Sequence, residues 1–262
     1  MTTLARDDPR YPVRLTDLTH APDPLWCEGD PLLLSREAIA IVGTRRMSAY
    51  GARVARELAV ACAATGVVVV SGLAQGVDAA AHQGALDARG ETVAVLGEGL
   101  AAFDPHGRRR VLAARIRGRG CLVSEYPPLA AAQGWMFARR NTTIAALARA
   151  VVVVEAPHGS GALITAGEAR RLGRPVYAVP GPLGAWQAEG TNALIASGRA
   201  QACLGARSLG LAAAPDERDE VLDRLAAGPL GPDLLTAHAS RVAELMLEGR
   251  IVALPDGRLA RA

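Results

Sequence analysis

The chain has 262 residues, 50% of them hydrophobic and only 3% aromatic, which is enough for one sizeable aliphatic α/β core and a small appendage. No uncharged apolar run of about 18 residues is present, so no membrane span is expected, and the acidic opening MTTLARDDPRYP does not read as a secretory signal. The formal charge is +3 but uneven: residues 1–205 hold 22 Arg against 17 Asp and Glu, and residues 206–262 hold 7 Arg against 9 acids.

The chain contains no lysine, a pattern read as codon usage in a G+C-rich genome. Every side-chain cation fixed by pH is therefore a guanidinium, suited to bidentate grip on phosphate and to stacking on a base. The cysteines, Cys27, Cys62, Cys121 and Cys203, are far apart and none forms a C-x-x-C. They are expected to be buried reduced thiols of a cytoplasmic protein.

Residues 1–36 are rich in Pro and Asp and are expected to form a cap of short helices and turns. From Ala38 onward, strand-like and helix-like stretches alternate. Strands are predicted at Ile39–Val42, Val67–Val70, Thr92–Leu96, Leu122–Val123, Val151–Val154 and Val176–Val179, with a weaker one near Ala200–Leu204. Helices are predicted at Ala49–Ala64, Gly76–Arg89, Arg109–Arg117, Thr142–Arg149, Leu163–Leu172 and Asn192–Ser197. Continuous Val and Ile runs are buried on both faces, as in a parallel sheet covered by helices. The expected fold is an α/β, extended Rossmann-like, doubly wound and mostly parallel sheet over residues 37–205.

Residues 206–215 read as a linker. Glu217–Leu225, Pro232–Ala239 and Arg241–Glu248 then read as short helices, and Arg250–Leu254 and Arg258–Arg261 as a hairpin around PDG. That order suits a small winged-helix-like domain over 216–262, and equally a small helical cap. The acids Glu217, Asp219, Glu220 and Asp223 on its first helix oppose phosphate contact there.

Glycine-bearing turns follow the predicted strands and open helices, an arrangement that directs backbone N–H groups at anions. The first is Gly43-Thr44-Arg45-Arg46-Met47-Ser48. It has neither the G-x-G-x-x-G spacing nor a Walker lysine, and no acid ends the second strand to hold a ribose. A nicotinamide dinucleotide is therefore not expected, and no cofactor is predicted. Gly43 and Ser48 suit close backbone approach and helix capping. Arg45 is either a structural partner for an acid or an anion ligand.

The second turn runs from Ser71 and Gly72 through Gly76 to Asp78. Asp78 and His82 stand four residues apart on the next predicted helix, either as a general base or as a hydrogen-bonded pair fixing the loop. The third turn is His158-Gly159-Ser160-Gly161. Phe137-Ala138-Arg139-Arg140-Asn141-Thr142 precedes the fifth strand and sets an aromatic ring beside two arginines, as single-strand binders do. Together these place the glycine turns and two arginine pairs (Arg45–Arg46 and Arg139–Arg140) on one sheet edge.

In this order the motifs resemble the DNA-processing protein A family, DprA, also called Smf. The resemblance covers roughly residues 11–205 and rests on YPVRL, PLWCEG, AIVGTRRMSAYG, SGLAQGVDAAAH, TVAVLGEGL, LVSEYPP, FARRNTTIAAL, VVVVEAPHGSGALITAGEA, GRPVYAVPG and GTNALI. It implies a single-stranded DNA-binding recombination mediator that helps load RecA recombinase during natural transformation. It also implies a homodimer and no catalytic activity. The family's DNA-contact arginine falls on Arg45. The basic position of its F-x-x-R-N motif falls on Arg140, beside Asn141. The turns at Ser71–Gly72 and Gly159–Gly161, with Ser160, would supply backbone N–H groups.

The sequence departs from the family pattern in several places. Thr142 and Thr143 follow Asn141 where a further cation is usual, Ala138 replaces a proline, and Phe103-Asp104-Pro105 stands where the family has Tyr-Pro. The C-terminal segment is short for the family's winged helix. The missing cation bears on affinity, not on fold, and Arg139 is the candidate to replace it. The alternative reading is a nucleotide-binding, phosphoribohydrolase-like enzyme of the same fold group with Glu125 or Glu155 as its acid or base. The turn HGSGALIT lacks the Gly-Gly and following Glu of such enzymes.

Overall fold

The computed structural model describes residues 1–104 and 106–211, and in the C-terminal part residues 221, 224–225, 228–229, 239–247 and 249–261. Residues 1–213 form one compact unit and 214–262 a second.

The first unit is built on a nine-stranded sheet. Its two leading strands, β1 (Thr2–Leu4) and β2 (Leu25–Gly29), pair antiparallel to each other, and β2 runs antiparallel to β6 (Cys121–Ser124). The N-terminal segment is thus more than the expected cap of helices and turns. Only its 3₁₀ turns at Val13–Asp17 and Pro31–Ser35 match that expectation, while its strands extend the main sheet. Leu4, Leu25 and Cys27 are fully buried, so these strands hold their place through burial that so short a run does not signal by periodicity.

The remaining strands are β3 (Ala38–Val42), β4 (Val68–Ser71), β5 (Thr92–Leu96), β7 (Ala150–Val153), β8 (Val176–Ala178) and β9 (Gln201–Ala202). They run parallel with β6 in the order β6-β5-β4-β3-β7-β8-β9. Every residue of β3 through β7 is buried, as the continuous apolar runs predict. Ile39, Ile41, Val69 and Val152 pack under α1 (Ala49–Ala64) and α2 (Val77–Asp87), while Ala94, Leu96 and Leu122 meet α3 (Gly107–Arg119). Ala40, Val42, Val70, Val151 and Val153 face α4 (Gly134–Leu147) and α5 (Gly161–Arg171), where α6 (Glu189–Ala196) adds Leu194. The Rossmann-like expectation is met.

The largest departure inside the sheet domain is α4, predicted from Thr142 but starting at Gly134. Met136, Arg140, Ile144 and Leu147 are among its buried positions, at helical spacing. A cation at the second of them hides the apolar period in the sequence.

The pair Asp78–His82 does not form. Asp78 accepts from the N–H groups of Gly72 (3.2 Å) and Ala74 (3.4 Å), so it holds the loop by itself. His82 is fully buried with Nδ1 2.6 Å from Thr92 Oγ1, whose hydroxyl donates to the Val69 carbonyl at 2.7 Å. Its Nε2 has no partner among the described residues. Burial, reinforced by the Arg140 charge, holds the imidazole pKa at about 3 instead of 6.5. The unfolded chain therefore takes up a proton below pH 6.5 that the folded protein refuses down to about pH 3. Stability from this group is full above pH 6.5 and falls as pH drops, by up to about 1.4 kcal/mol per pH unit. In urea titrations, His82→Leu should lose about 2 kcal/mol less than the parent between pH 6.5 and 5. Equal losses in both proteins would contradict this assignment.

In the second unit, α7 (Ala239–Leu247) precedes an antiparallel hairpin of β10 (Ile251–Ala253) and β11 (Leu259–Arg261). Val221, Leu225, Val242, Leu245, Ile251 and Leu259 form its apolar cluster. The last predicted helix and the hairpin are thus present. Residues 232–238 of the predicted helix Pro232–Ala239, most of Glu217–Leu225 and its acids Glu217, Asp219, Glu220 and Asp223 lie outside the described residues, as do residues 212–215 of the linker and Pro105. The described part of the expected linker, 206–211, carries a 3₁₀ turn at Ala206–Leu209 and buries Leu209 and Leu211 against the core of the first unit.

Candidate functional site

The parallel sheet changes direction of winding between β3 and β7. After β3 the chain passes to α1 on one face; after β7 it passes to α5 on the other. Such a divergence leaves a crevice at the carboxyl ends of the strands. Here it is a cleft of about 460 Å³ lined by Gly43 to Arg46, Phe137, Asn141 and Gly159 to Gly161.

The first glycine turn is rigidly held. Thr44 N–H donates to the Glu155 carbonyl at 2.7 Å, and Val77 N–H donates to the Thr44 carbonyl at 3.2 Å. Ser48 caps α1, accepting from Gly51 N–H at 3.0 Å. Its own N–H and hydroxyl both donate to the Glu155 carboxylate. Glu155 thus sits as an internal anion at the positive end of α1. A Cβ on Gly51 would come within 2.3 Å of Glu155 Oε2, so that glycine makes room for the carboxylate. An outside phosphate therefore meets an occupied helix end at α1. Arg45 and Arg46, by contrast, project into solvent and make no ion pair among the described residues.

The second turn is structural. Ser71 is fully buried and donates to the Ile41 carbonyl at 2.7 Å. Gly72 gives its N–H to Asp78 and its carbonyl to Arg140 Nη1 at 2.7 Å. Gly72 therefore does not offer the free N–H group expected of it, and Ser71 is enclosed in β4. Gly76 has φ +82°, a backbone state that suits only glycine, and a Cβ there would lie 2.3 Å from the Thr44 carbonyl oxygen. The second turn is thereby pressed against the first and braces Arg45.

Arg140 is 6% exposed. Its guanidinium joins the ends of β4 and β5 by donating to the Gly72 and Val95 carbonyls, and Nε donates to Asn141 Oδ1 at 3.2 Å. Burial pushes its pKa down and that of the Asp78 carboxyl up, each opposed by the charge of the other. Its donors serve the fold first, although it also lines the cleft. Arg139 points elsewhere: Nε donates at 2.9 Å to Glu125, which also accepts from Thr143 Oγ1 at 3.1 Å. The expected row of two arginine pairs on one edge is therefore not formed. Residues 139 and 140 are about 100° apart around a helix, which sends them to different sides.

Opposite Arg45 stands the start of α5. Ser160 caps it through a 3.4 Å contact from Ala162 N–H, and Asn141 Nδ2 donates to the Gly161 carbonyl at 3.2 Å. Gly159 (φ +76°) turns the backbone so that the N–H groups of Gly159 and Gly161 find no protein acceptor among the described residues. This is the one glycine turn of the three whose helix end stays open to an anion.

Arg109 is a site residue that sequence reasoning missed, having been read as a helix start within the run GRRR. Nε donates to the Leu73 carbonyl at 3.2 Å, and the guanidinium lies 4.7 Å from the Phe103 ring centroid and 3.7 Å from Glu98. With Arg45, Gln75, Phe137 and Arg140 it lines an adjoining cleft of about 340 Å³. Burial and then the neighbouring cations lower the pKa of Arg109 and Arg140. Three guanidinium groups around one aromatic-lined cleft make a site whose field an anion would relieve.

The sequence profile described as DNA recombination-mediator protein A matches residues 2–211. The chain is 41% identical over 192 residues to protein Smf of Escherichia coli strain K12, covering 73% of this chain and 51% of that one. It spans about half the length of this relative. The structure of DNA processing protein A (DprA) from Streptococcus pneumoniae superposes with a TM-score of 0.74 at 35% identity, over 79% of this chain and 72% of that one. DNA processing protein A from Helicobacter pylori, solved for its single-stranded DNA binding mode, gives a TM-score of 0.72 at 30% identity, over 79% and 93% of the two chains.

Proposed function

Because this chain belongs to the DNA recombination-mediator protein A family, we propose that it binds single-stranded DNA in the switch-point cleft. In this reading it acts without catalysis, as a cytoplasmic homodimer that helps load RecA onto DNA entering by natural transformation. One observation carries the binding reading: Arg45 and Arg46, exposed and without an ion pair among the described residues, line one cleft with Phe137 and with Gly159 and Gly161, whose N–H groups have no acceptor there. Cations and backbone donors suit phosphates, and a ring suits the face of any base. The two carboxylates of the enzymatic alternative are both committed elsewhere, Glu155 to Ser48 and Glu125 to Arg139 and Thr143, which favours a binding role. No helix among the described residues is long and apolar enough to cross a membrane.

Titration of labelled oligonucleotides at moderate salt tests the reading. Single strands should bind more tightly than the corresponding duplex, and log K should fall with log salt by roughly 0.7 per phosphate neutralised. Equal affinity for the two forms would overturn it. Release of free base from nucleotides, followed by chromatography, would restore the enzymatic alternative. Failure to stimulate strand exchange by RecA in the presence of single-strand binding protein would remove the loading role alone.

A further inference from the structure

Helix α4 presents two different polar faces. Phe137, Ala138 and Asn141 line the switch-point cleft. Trp135, Arg139, Thr142 and Thr143 are displaced around the helix toward the opposite side, with Trp135 and Arg139 one turn apart. On that side Arg139, Thr142 and Thr143 line a second cavity of about 390 Å³, together with His20, Glu125 and Arg171.

This second face has the parts of a nucleotide subsite. Trp135 is 53% exposed, yet its ring is not loose. Nε1 donates to Gln133 Oε1 at 2.7 Å, and the ring meets buried Tyr126 edge to face, at 5.8 Å between centroids and 86° between planes. A held, half-bare indole offers a flat face at little further entropic cost. Arg139 is fixed through Nε by buried Glu125, which leaves its two terminal amino groups without an acceptor among the described residues. Those groups are preorganised to meet a phosphate bidentately.

We propose that a single strand seated in the switch-point cleft continues over α4 into a second subsite, where Trp135 stacks on a base and Arg139 holds a phosphate. This rests on the single-strand reading above and extends it. It also gives Arg139 a place in binding that its separation from Arg140 would otherwise deny it.

The test uses the full chain with oligothymidylates of about 4 and about 16 nucleotides, lengths that bracket common single-strand site sizes. Trp135→Ala should weaken the longer strand roughly tenfold and leave the shorter unchanged, since one stacked base typically contributes at least a fivefold effect. The longer strand should quench tryptophan emission in the parent and in Trp186→Phe, while Trp135→Phe should bind with little quenching. Trp135→Phe also keeps the ring against Tyr126, so a folding defect in the alanine variant would not mask the answer. Undiminished quenching in Trp135→Phe would overturn the subsite, as would unchanged long-strand affinity in folded Trp135→Ala. If Arg45→Glu also binds like the parent, the switch-point reading has failed; if Arg45→Glu alone is weakened, only the second subsite has. A Trp135 variant that binds both strands normally but loses a protein partner would likewise overturn the subsite.

Discussion

Arg45→Glu should weaken binding of single-stranded DNA about 100-fold at moderate salt without loss of fold. A charge-assisted hydrogen bond to phosphate contributes roughly 1.5–3 kcal/mol, and reversal adds repulsion from the neighbouring phosphates. Arg45 is exposed and unpaired among the described residues, so its replacement breaks no internal contact. Unfolding midpoints should therefore stay within about 0.5 kcal/mol of the parent. The salt slope should shrink by roughly 0.7, the share of one phosphate, and all base sequences should be affected alike. Anisotropy titrations at several salt concentrations give affinity and slope together. An unchanged slope would mean that Arg45 meets no phosphate.

Arg140→Ala should behave in the opposite way and destabilise the fold by about 3–5 kcal/mol, the usual result of removing one side of a buried charged network. The Gly72 and Val95 carbonyls would lose their donor, and buried Asp78 would lose the positive charge that opposes the upward push of burial on its carboxyl pKa. In the parent a Cβ at Gly72 would lie 2.7 Å from the Arg140 guanidinium, so this glycine makes room for that side chain. Arg140→Lys should recover only part of the stability, since an ammonium cannot span both carbonyls in the planar geometry of a guanidinium. Urea denaturation reads both variants. A fully stable Arg140→Ala protein that binds no DNA would show that this side chain serves phosphate alone.

The contrast between these two arginines is the main lesson of the site. Both were read from the sequence as cations on the sheet edge that carries the glycine turns, and they differ by position, not by type. Arg45 lies in a loop leaving β3, where nothing covers it. Arg140 falls on a core-facing turn of α4, in register with Met136 and Ile144, so its charge is drawn into the carbonyl ends of β4 and β5. The motif F-x-x-R-N names the residues but not the helix that separates Arg139 from Arg140. Arg109 is remote from the motifs in sequence and arrives by tertiary packing beside Phe137.

The sequence by itself determined the strand–helix alternation, the doubly wound sheet and the edge on which its glycine turns lie, because buried apolar runs and turn residues are local signals. It also showed the family resemblance through the order of those motifs. Tertiary structure alone decided which turn remains open. Glu155, far from Ser48 in sequence, fills the end of α1; Asp78 and Arg140 take up backbone groups of the second turn; at the start of α5 the N–H groups of Gly159 and Gly161 keep no acceptor among the described residues. Whether a donor is free depends on which distant group reaches it, and that is settled only when the strands are laid side by side.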